Sequence, residues 1–305
     1  MTTTDSKPAI PSSGANQALK EIVAGSVGGV CQVLSGQPFD TIKVRLQTQP
    51  TPPIYTGVVD CLKTTVQADG PLGLYKGTVT PLLGIGACVS IQFATLEHVK
   101  RHFTRSNGGS ADLSTAQLYL AGAASGVANS IVSGPVEHIR TRLQVQSGKN
   151  VQFRGPLDCV RQIYAGYGIQ GVFKGQAVTV AREFQGYGAY FLTYEYLVQR
   201  ACKAEGVSRK ELPTWKVMTY GALSGYSLWI SVFPIDVIKS KLQTDAFDPT
   251  NRKYSSALDC FRQTLKAEGI RGLYRGFVPC MLRAAPVNAI TFLGFEAAMN
   301  VLGRD

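Results

Sequence analysis

A ten-residue phrase occurs three times in this chain: PFDTIKVRLQ from Pro38, PVEHIRTRLQ from Pro135 and PIDVIKSKLQ from Pro234. The prolines are 97 and 99 residues apart, so three copies of one unit account for nearly all 305 positions. A period of this size means one structural unit built three times, and function must be read from what the copies share and where they differ. A second block follows each phrase: YTGVVDCLKTTVQADGPLGLYKG from Tyr55, FRGPLDCVRQIYAGYGIQGVFKG from Phe153 and YSSALDCFRQTLKAEGIRGLYRG from Tyr254. Upstream lie small residues four apart, Gly25 and Gly29, Gly122 and Gly126, Gly221 and Gly225. That spacing predicts close approach of helix backbones in lipid, where apolar burial gives no net drive for association.

Six segments, at about 20–48, 77–102, 114–147, 175–200, 214–243 and 276–301, are long enough for a hydrocarbon core that needs roughly 20 residues. None is uninterrupted, yet charged residues fall toward segment ends or at fixed places in the repeat, as expected of helices with lipid on one side and a watery cavity on the other. A soluble helical repeat protein would have shorter and more uniformly charged helices. The expectation is therefore an all-α membrane protein, with a disordered lead-in at 1–18 and repeats at 19–105, 106–205 and 206–305.

The net charge of +11 comes without a basic run or RNA-binding motif, which argues against nucleic acid as a partner. Many bases lie between the spans, where they suit anionic lipid headgroups. The first residues, MTTTDSKPAIPSSGANQ, contain no arginine and no apolar core, so neither a secretory signal nor a transit peptide is read there. Cys61, Cys159 and Cys260 hold one repeat position three times and are read as packing residues. His98, His102 and His138 have no ligand spacing and no catalytic triad is visible, so neither an enzyme nor a metal or cofactor is expected.

Proline removes a backbone donor, so kinks are expected at Pro38, Pro135 and Pro234. The acid and base beyond each proline cost about 2.5–3.5 kcal/mol apiece near hydrocarbon unless paired. With threefold repetition a ring satisfies all of them: Asp40 with Arg140, Glu137 with Lys239, and Asp236 with Lys43. Ion pairs solvated on one side contribute little net energy, so the ring reads as a gate that reopens; the alternative is three independent helix-end bridges.

These residues resemble the mitochondrial carrier family over the whole chain. Its pattern Px[DE]xx[KR]x[KR], followed by acid–Gly and aromatic–base–Gly, recurs in all three copies, which end in Tyr75-Lys76-Gly77, Phe173-Lys174-Gly175 and Tyr274-Arg275-Gly276. One departure is Tyr167, where the other copies have Asp69 and Glu268. The resemblance implies six tilted transmembrane helices in three pseudo-symmetric repeats, a short matrix helix in each, the inner mitochondrial membrane, and alternating access with the ring as matrix gate. A monomer is expected. It also implies cardiolipin at Gly57, Gly77, Gly155, Gly175, Ser256 and Gly276, where helix N-termini suit a phosphate, unless these are simple caps. The cytosolic gate implied by the family is thin. Glu97, Glu195 and Glu296 face a single base, Lys100, so that gate should open more easily than the matrix one.

An asymmetric metabolite must be gripped where symmetry breaks. Seven residues beyond each aromatic–base–Gly stand Gly84, Arg182 and Arg283, followed by Ile85, Glu183 and Ala284. The resemblance places substrate contacts there, and unmatched charges at membrane depth are functional by default; the alternative is structural pairing with other helices. Arginine followed by an acid resembles the carnitine, ornithine and amino-acid branch. Guanidinium forks a carboxylate and Glu183 would receive an amine. Trp229, in the slot of Val33 and Ser130, either holds an ammonium on its face or packs. GQPFDTIKVRLQT, GACVSIQF and MLRAAPVNAITF most resemble fungal Ymc-type carriers. The expected function is amino-acid transport, with a carnitine/acylcarnitine exchanger, kept open by Tyr187, Tyr190 and Tyr226, as runner-up. A non-transporting scaffold or proton-leak protein is the third class, opposed by the intact gates.

Overall fold

The computed structural model describes residues 12–50, 52–108, 113–148 and 151–303. Among them run six long helices: α1 (Ser12–Thr48), α3 (Val79–Ser106), α4 (Thr115–Val145), α6 (Gln176–Glu205), α7 (Thr214–Thr244) and α9 (Phe277–Val301). Three short helices, α2 (Val58–Asp69), α5 (Pro156–Val172) and α8 (Ala257–Gly272), follow α1, α4 and α7. Residues 1–11 of the expected lead-in lie outside the described residues, and 12–18 begin α1. Three helical stretches, Pro71–Ser106, Thr214–Thr244 and Phe277–Val301, are long and apolar enough to cross a membrane by composition alone. The others carry more polarity, which a helix facing a watery cavity tolerates.

Each repeat builds its short helix by the same local rules. Asp60, Asp158 and Asp259 sit in the first turn and accept the backbone N–H of Thr56, Arg154 and Ser255 at 2.9 Å. A carboxylate there answers both an orphan donor and the positive end of the helix dipole. At the acid–Gly position α2 ends and α5 and α8 are broken by a kink, where Gly70, Gly168 and Gly269 take φ of +70°, +62° and +64°, backbone that a side chain disfavours. Beneath each lies a small core containing the repeated cysteine: Ile42, Leu46 and Cys61; Ile139, Leu143 and Cys159; Ile238, Cys260 and Leu273. Burial pushes the Cys61 thiol up to about 11 and those of Cys159 and Cys260 up to about 12, so they stay protonated packing groups.

Two compact units divide the chain. One holds the chain up to Gly36 and from Leu282 onward; the other is Gln37–Met281. In the first, Gly28 packs on α9, where an added Cβ would lie 3.1 Å from the Thr291 carbonyl. In the second, α4 packs on α3 and α6, and α6 on α7. The small-residue pairs do not act alike. A Cβ on Gly122 or Gly126 would lie 2.6 or 2.4 Å from the carbonyls of Tyr187 and Glu183, so this pair does join α4 to α6. A Cβ built on Gly25, Gly29, Gly221 or Gly225 would meet nothing within 4 Å among the described residues. Four-residue spacing sets a stripe along a helix, but the helix's rotation decides whether that stripe meets a neighbour. Pro38, Pro135 and Pro234 each lie inside a continuous helix.

Candidate functional site

Within Gln37–Met281, the ends of α1, α4 and α7 bring the repeated acids and bases together. Arg140 donates to Asp40 at 2.7 Å, Lys43 to Asp236 at 2.7 Å, and Lys239 to Glu137. Glutamines from the same phrase region brace the ring. Gln37 accepts from Arg140 and donates to the Lys76 carbonyl at 2.7 Å, and Gln47 donates to Asp236 at 3.0 Å. Lys43 and Asp236 are nearly fully buried, so removing either partner leaves a charge that costs about 3–5 kcal/mol.

Arg182 enters this ring from α6. Its guanidinium donates to both oxygens of Glu137 at 2.9 and 3.1 Å and to the adjacent Glu183, and its Nε lies 3.9 Å from Asp236. Among the described ion pairs four carboxylates (Asp40, Glu137, Glu183, Asp236) thus meet four cations (Lys43, Arg140, Arg182, Lys239), and these charges balance. Exposure differs sharply within it. Glu183 is 3% exposed, tucked against α4 where Asn129 donates to it at 3.3 Å. The Glu137 side chain is 31% exposed, the most of the four carboxylates.

The other expected contacts are placed differently. Gly84 packs on α4, where a Cβ would lie 3.1 Å from the methyl groups of Val136, so its lack of a side chain serves helix packing; Ile85 is half-buried. The Trp229 ring holds a cation, but it is the ammonium of Lys43, 4.3 Å from the centroid. Trp229 also packs on Phe233, Val237 and Cys280. Arg283 belongs to the other unit, where its guanidinium lies over Gly36 so closely that a Cβ would sit 2.8 Å from Nε.

On α6, Glu195 is bound by Lys100 at 3.0 Å, as the repeat pattern allows. It is also bound by Arg209, whose guanidinium reaches both carboxylate oxygens at 3.0 and 3.1 Å and lies 5.6 Å from the Tyr194 ring. The expectation of one base is thereby corrected. Repeat two has Val198 where the base should be, and a residue from the segment before α7 supplies it. Glu97 is exposed, and Glu296 lies half-buried in the other unit.

At the acid–Gly positions, Asp69 collects Arg45 at 2.8 Å, Lys76 at 2.9 Å, Ser147 at 2.9 Å and the Gly148 N–H at 2.7 Å. Burial alone would raise its pKa, but the hydrogen bonds from Lys76, Arg45, Gly148 and Ser147 outweigh it and hold the carboxyl well below the usual range. Glu268 binds Lys241 and Arg275 in the same way, at 2.9 and 3.0 Å. Tyr167 offers no carboxylate. It stacks on Phe247 at 4.4 Å, and Arg142 and Lys174 lie 4.1 and 4.6 Å from that ring's centroid. Burial, and then Arg142 beside it, lower the Lys174 ammonium to about 8.

Of the glycines expected at lipid sites, Gly77 and Gly276 have φ of +80° and +82° and lie where a Cβ would be 3.0 and 2.9 Å from the carbonyls of Arg140 and Lys43. Gly175 heads α6 in the same left-handed backbone, with φ of +79°. Gly57 and Gly155 are the N-caps of α2 and α5 with no side-chain cap, whereas the Ser256 side chain already caps α8 by accepting from Asp259.

Sequence reasoning missed Asn129, Arg209, Gln47 and Phe247. Asn129 carried a signal: the corresponding slots, six residues before each proline, hold Gln32 and Leu228. Arg209 and Phe247 sit outside the repeated blocks, where no pattern pointed to them.

Three successive copies of a long helix, a short helix and a long helix, with a ring of paired charges at the phrase positions, define a helical membrane transporter. The family model described as mitochondrial carrier protein matches residues 14–107, 111–204 and 210–305. The chain belongs to the mitochondrial carrier family and is a multi-pass protein of the inner mitochondrial membrane. Its relatives include the glutamate/glycine mitochondrial carrier ymc1 of Schizosaccharomyces pombe, 48% identical over 95% of this chain and 97% of that protein. The mitochondrial glycine transporter YMC1 of Saccharomyces cerevisiae is 45% identical over 94% and 92%. The mitochondrial carnitine/acylcarnitine carrier protein of Rattus norvegicus is 39% identical over 93% and 94%.

Proposed function

We propose that this carrier moves small amino acids across the inner membrane by alternating access, with no chemical step. The observation that carries the reading is Arg182, which binds a gate acid, Glu137, and its own neighbour Glu183 at once. A substrate carboxylate offers Arg182 two oxygens as Glu137 does, and can engage a second guanidinium nitrogen where Glu137 meets only Nη2. An amino acid therefore competes with Glu137 for Arg182, and its ammonium takes the place beside Glu183 that the guanidinium gives up. Lys239 alone then holds Glu137, and the matrix ring loosens. Binding and gating are coupled through one side chain, and only a zwitterion supplies both halves of the exchange.

The glutamate and glycine in the names of two relatives support this chemistry. A carnitine substrate needs a free aromatic cage for its trimethylammonium group. Here Trp229 is covered by Lys43, and Tyr187 and Tyr190 pack around Phe191 beside Leu96 and Ala121. Cardiolipin headgroups are assigned to the N-termini near Gly57, Gly155, Gly77, Gly175 and Gly276. The third site is weaker because Ser256 caps its own helix and competes with a phosphate.

The test is uptake into proteoliposomes preloaded with glycine, glutamate, carnitine or a nucleotide. Glycine or glutamate exchange is expected, and Glu183→Gln should remove most of it. Carnitine exchange with no amino-acid exchange would overturn the reading.

A further inference from the structure

We infer that Asn129 on α4 selects substrates bearing N–H groups, its carbonyl oxygen accepting a hydrogen bond from the substrate ammonium while its amide nitrogen holds Glu183. This rests on the amino-acid reading above and goes beyond it, since it assigns the choice between ammonium and trimethylammonium to one uncharged side chain.

The geometry carries the argument. Asn129 is 4% exposed, and its Nδ2 donates to Glu183 Oε2 at 3.3 Å. An ionised carboxylate only accepts, so the amide has to turn its nitrogen toward Glu183, and Oδ1 must point elsewhere. Among the described residues Oδ1 is buried and has no donor. Buried polar atoms in folded proteins are almost always paired, so an orphan acceptor beside a functional carboxylate calls for an explanation. The amide has little freedom to seek another partner. Three residues earlier on α4, Gly126 lies so near α6 that a Cβ would be 2.4 Å from the Glu183 carbonyl.

Arg182 Nε, also buried, likewise lacks a hydrogen-bond partner. An unused donor and an unused acceptor thus flank Glu183, matching the carboxylate and ammonium of an amino acid. When a substrate carboxylate draws Arg182 off the acids, Glu183 and Asn129 Oδ1 remain as two acceptors for one ammonium group. A primary ammonium has donors for both. A trimethylammonium group has none and leaves Oδ1 unpaired, so the site rejects it by what it fails to satisfy. The three copies differ at this slot: the corresponding positions hold Gln32, with a side chain one methylene longer, and Leu228, with no acceptor.

The experiment uses the full chain in proteoliposomes and labelled glycine, with glycine, N-methylglycine, N,N-dimethylglycine and N,N,N-trimethylglycine as competitors. Wild type should lose competition stepwise as N–H groups are removed. Asn129→Ala should weaken glycine by about tenfold, the loss of one hydrogen bond to a charged group. It should leave the fully methylated competitor unchanged, so that the series flattens. Asn129→Ser, which keeps a small acceptor, gives an intermediate series and serves if the alanine variant does not fold. Equal losses across the series, or none, would mean that Asn129 only positions Glu183 and would overturn the proposal. Absence of any amino-acid uptake by wild type would overturn the functional reading instead, and this inference with it.

Discussion

Replacing Arg182 by lysine isolates geometry from charge. The charge balance is kept, because the substitution removes no positive charge from the paired four acids and four bases. What changes is reach. One nitrogen, Nη2, serves both oxygens of Glu137 at 2.9 and 3.1 Å and Glu183, while Nε on the other side of the guanidinium lies 3.9 Å from Asp236. An ammonium is a point donor and serves at most part of that set. Hydrogen bonds to charged groups contribute about 1.5–3 kcal/mol each, so losing one across the substrate carboxylate comes to about 2 kcal/mol. That is roughly thirty-fold in apparent affinity. The assay is initial glycine uptake over a range of concentrations in proteoliposomes, with Arg182→Lys beside wild type at matched protein density. A rise in KM greater than any fall in kcat is expected, because the carboxylate clamp is made in the bound ground state. If Arg182→Lys stays within about twofold of wild type in both parameters, Arg182 clamps no carboxylate, and the coupling of binding to gating fails with it.

Further outcomes are expected elsewhere. Asp40→Lys sets two cations together across the 2.7 Å pair and should abolish uptake, while the added change Arg140→Asp should restore part of it; no rescue refutes the pairing. Trp229→Phe weakens the ring under Lys43, by about 0.5–1 kcal/mol, and should change glycine and glutamate uptake in parallel; a selective loss of one would make Trp229 a substrate contact. The Lys174 ammonium, its pKa lowered to about 8 by burial and by Arg142, loses its proton at lower pH in the folded chain than in the unfolded one. Stability should therefore rise with pH from about 8 toward the usual lysine value near 10.4. Lys174→Met should remove that rise in thermal unfolding of the detergent-solubilised protein, and an unchanged profile would refute the assignment.

The sequence made the repeated parts legible because each was stated three times. The phrase at Pro38, Pro135 and Pro234 places an acid and a base one helical turn apart, and the pairs found are those that threefold repetition requires. The six long helices begin and end within a few residues of the expected spans, apart from the added start of α1. What stayed hidden was specific to one copy. Gly25 and Gly29 obey the same spacing as Gly122 and Gly126, yet only the second pair meets a neighbouring backbone. Spacing along a helix carries no information about its rotation. Arg209 was invisible for a different reason: its partner Glu195 is fourteen residues away across a turn, outside any block that repeats.

Divergence between the copies follows a rule that the structure supplies. In repeat one, Asp69 is met by Gly148, whose N–H it accepts at 2.7 Å. Thirteen residues beyond each proline, the counterpart of Gly148 in the next repeat is Phe247, and Phe247 meets Tyr167, the residue that replaced the acid. The carboxylate and the glycine have both given way to rings. Each change alone would be costly. A lone tyrosine leaves Arg142 and Lys174 without a counter-charge, and a lone phenylalanine puts a hydrophobic face on a carboxylate. Together they exchange an ionic node for an aromatic one, in which both cations rest on the Phe247 ring at 4.1 and 4.6 Å. Arg209 restores, by the same logic, the base missing at Val198. In both cases the replacement comes from the third repeat, Arg209 from the segment before α7 and Phe247 from the segment between α7 and α8. At both places the second repeat differs from the others, and a residue of the third repeat makes good the lost partner.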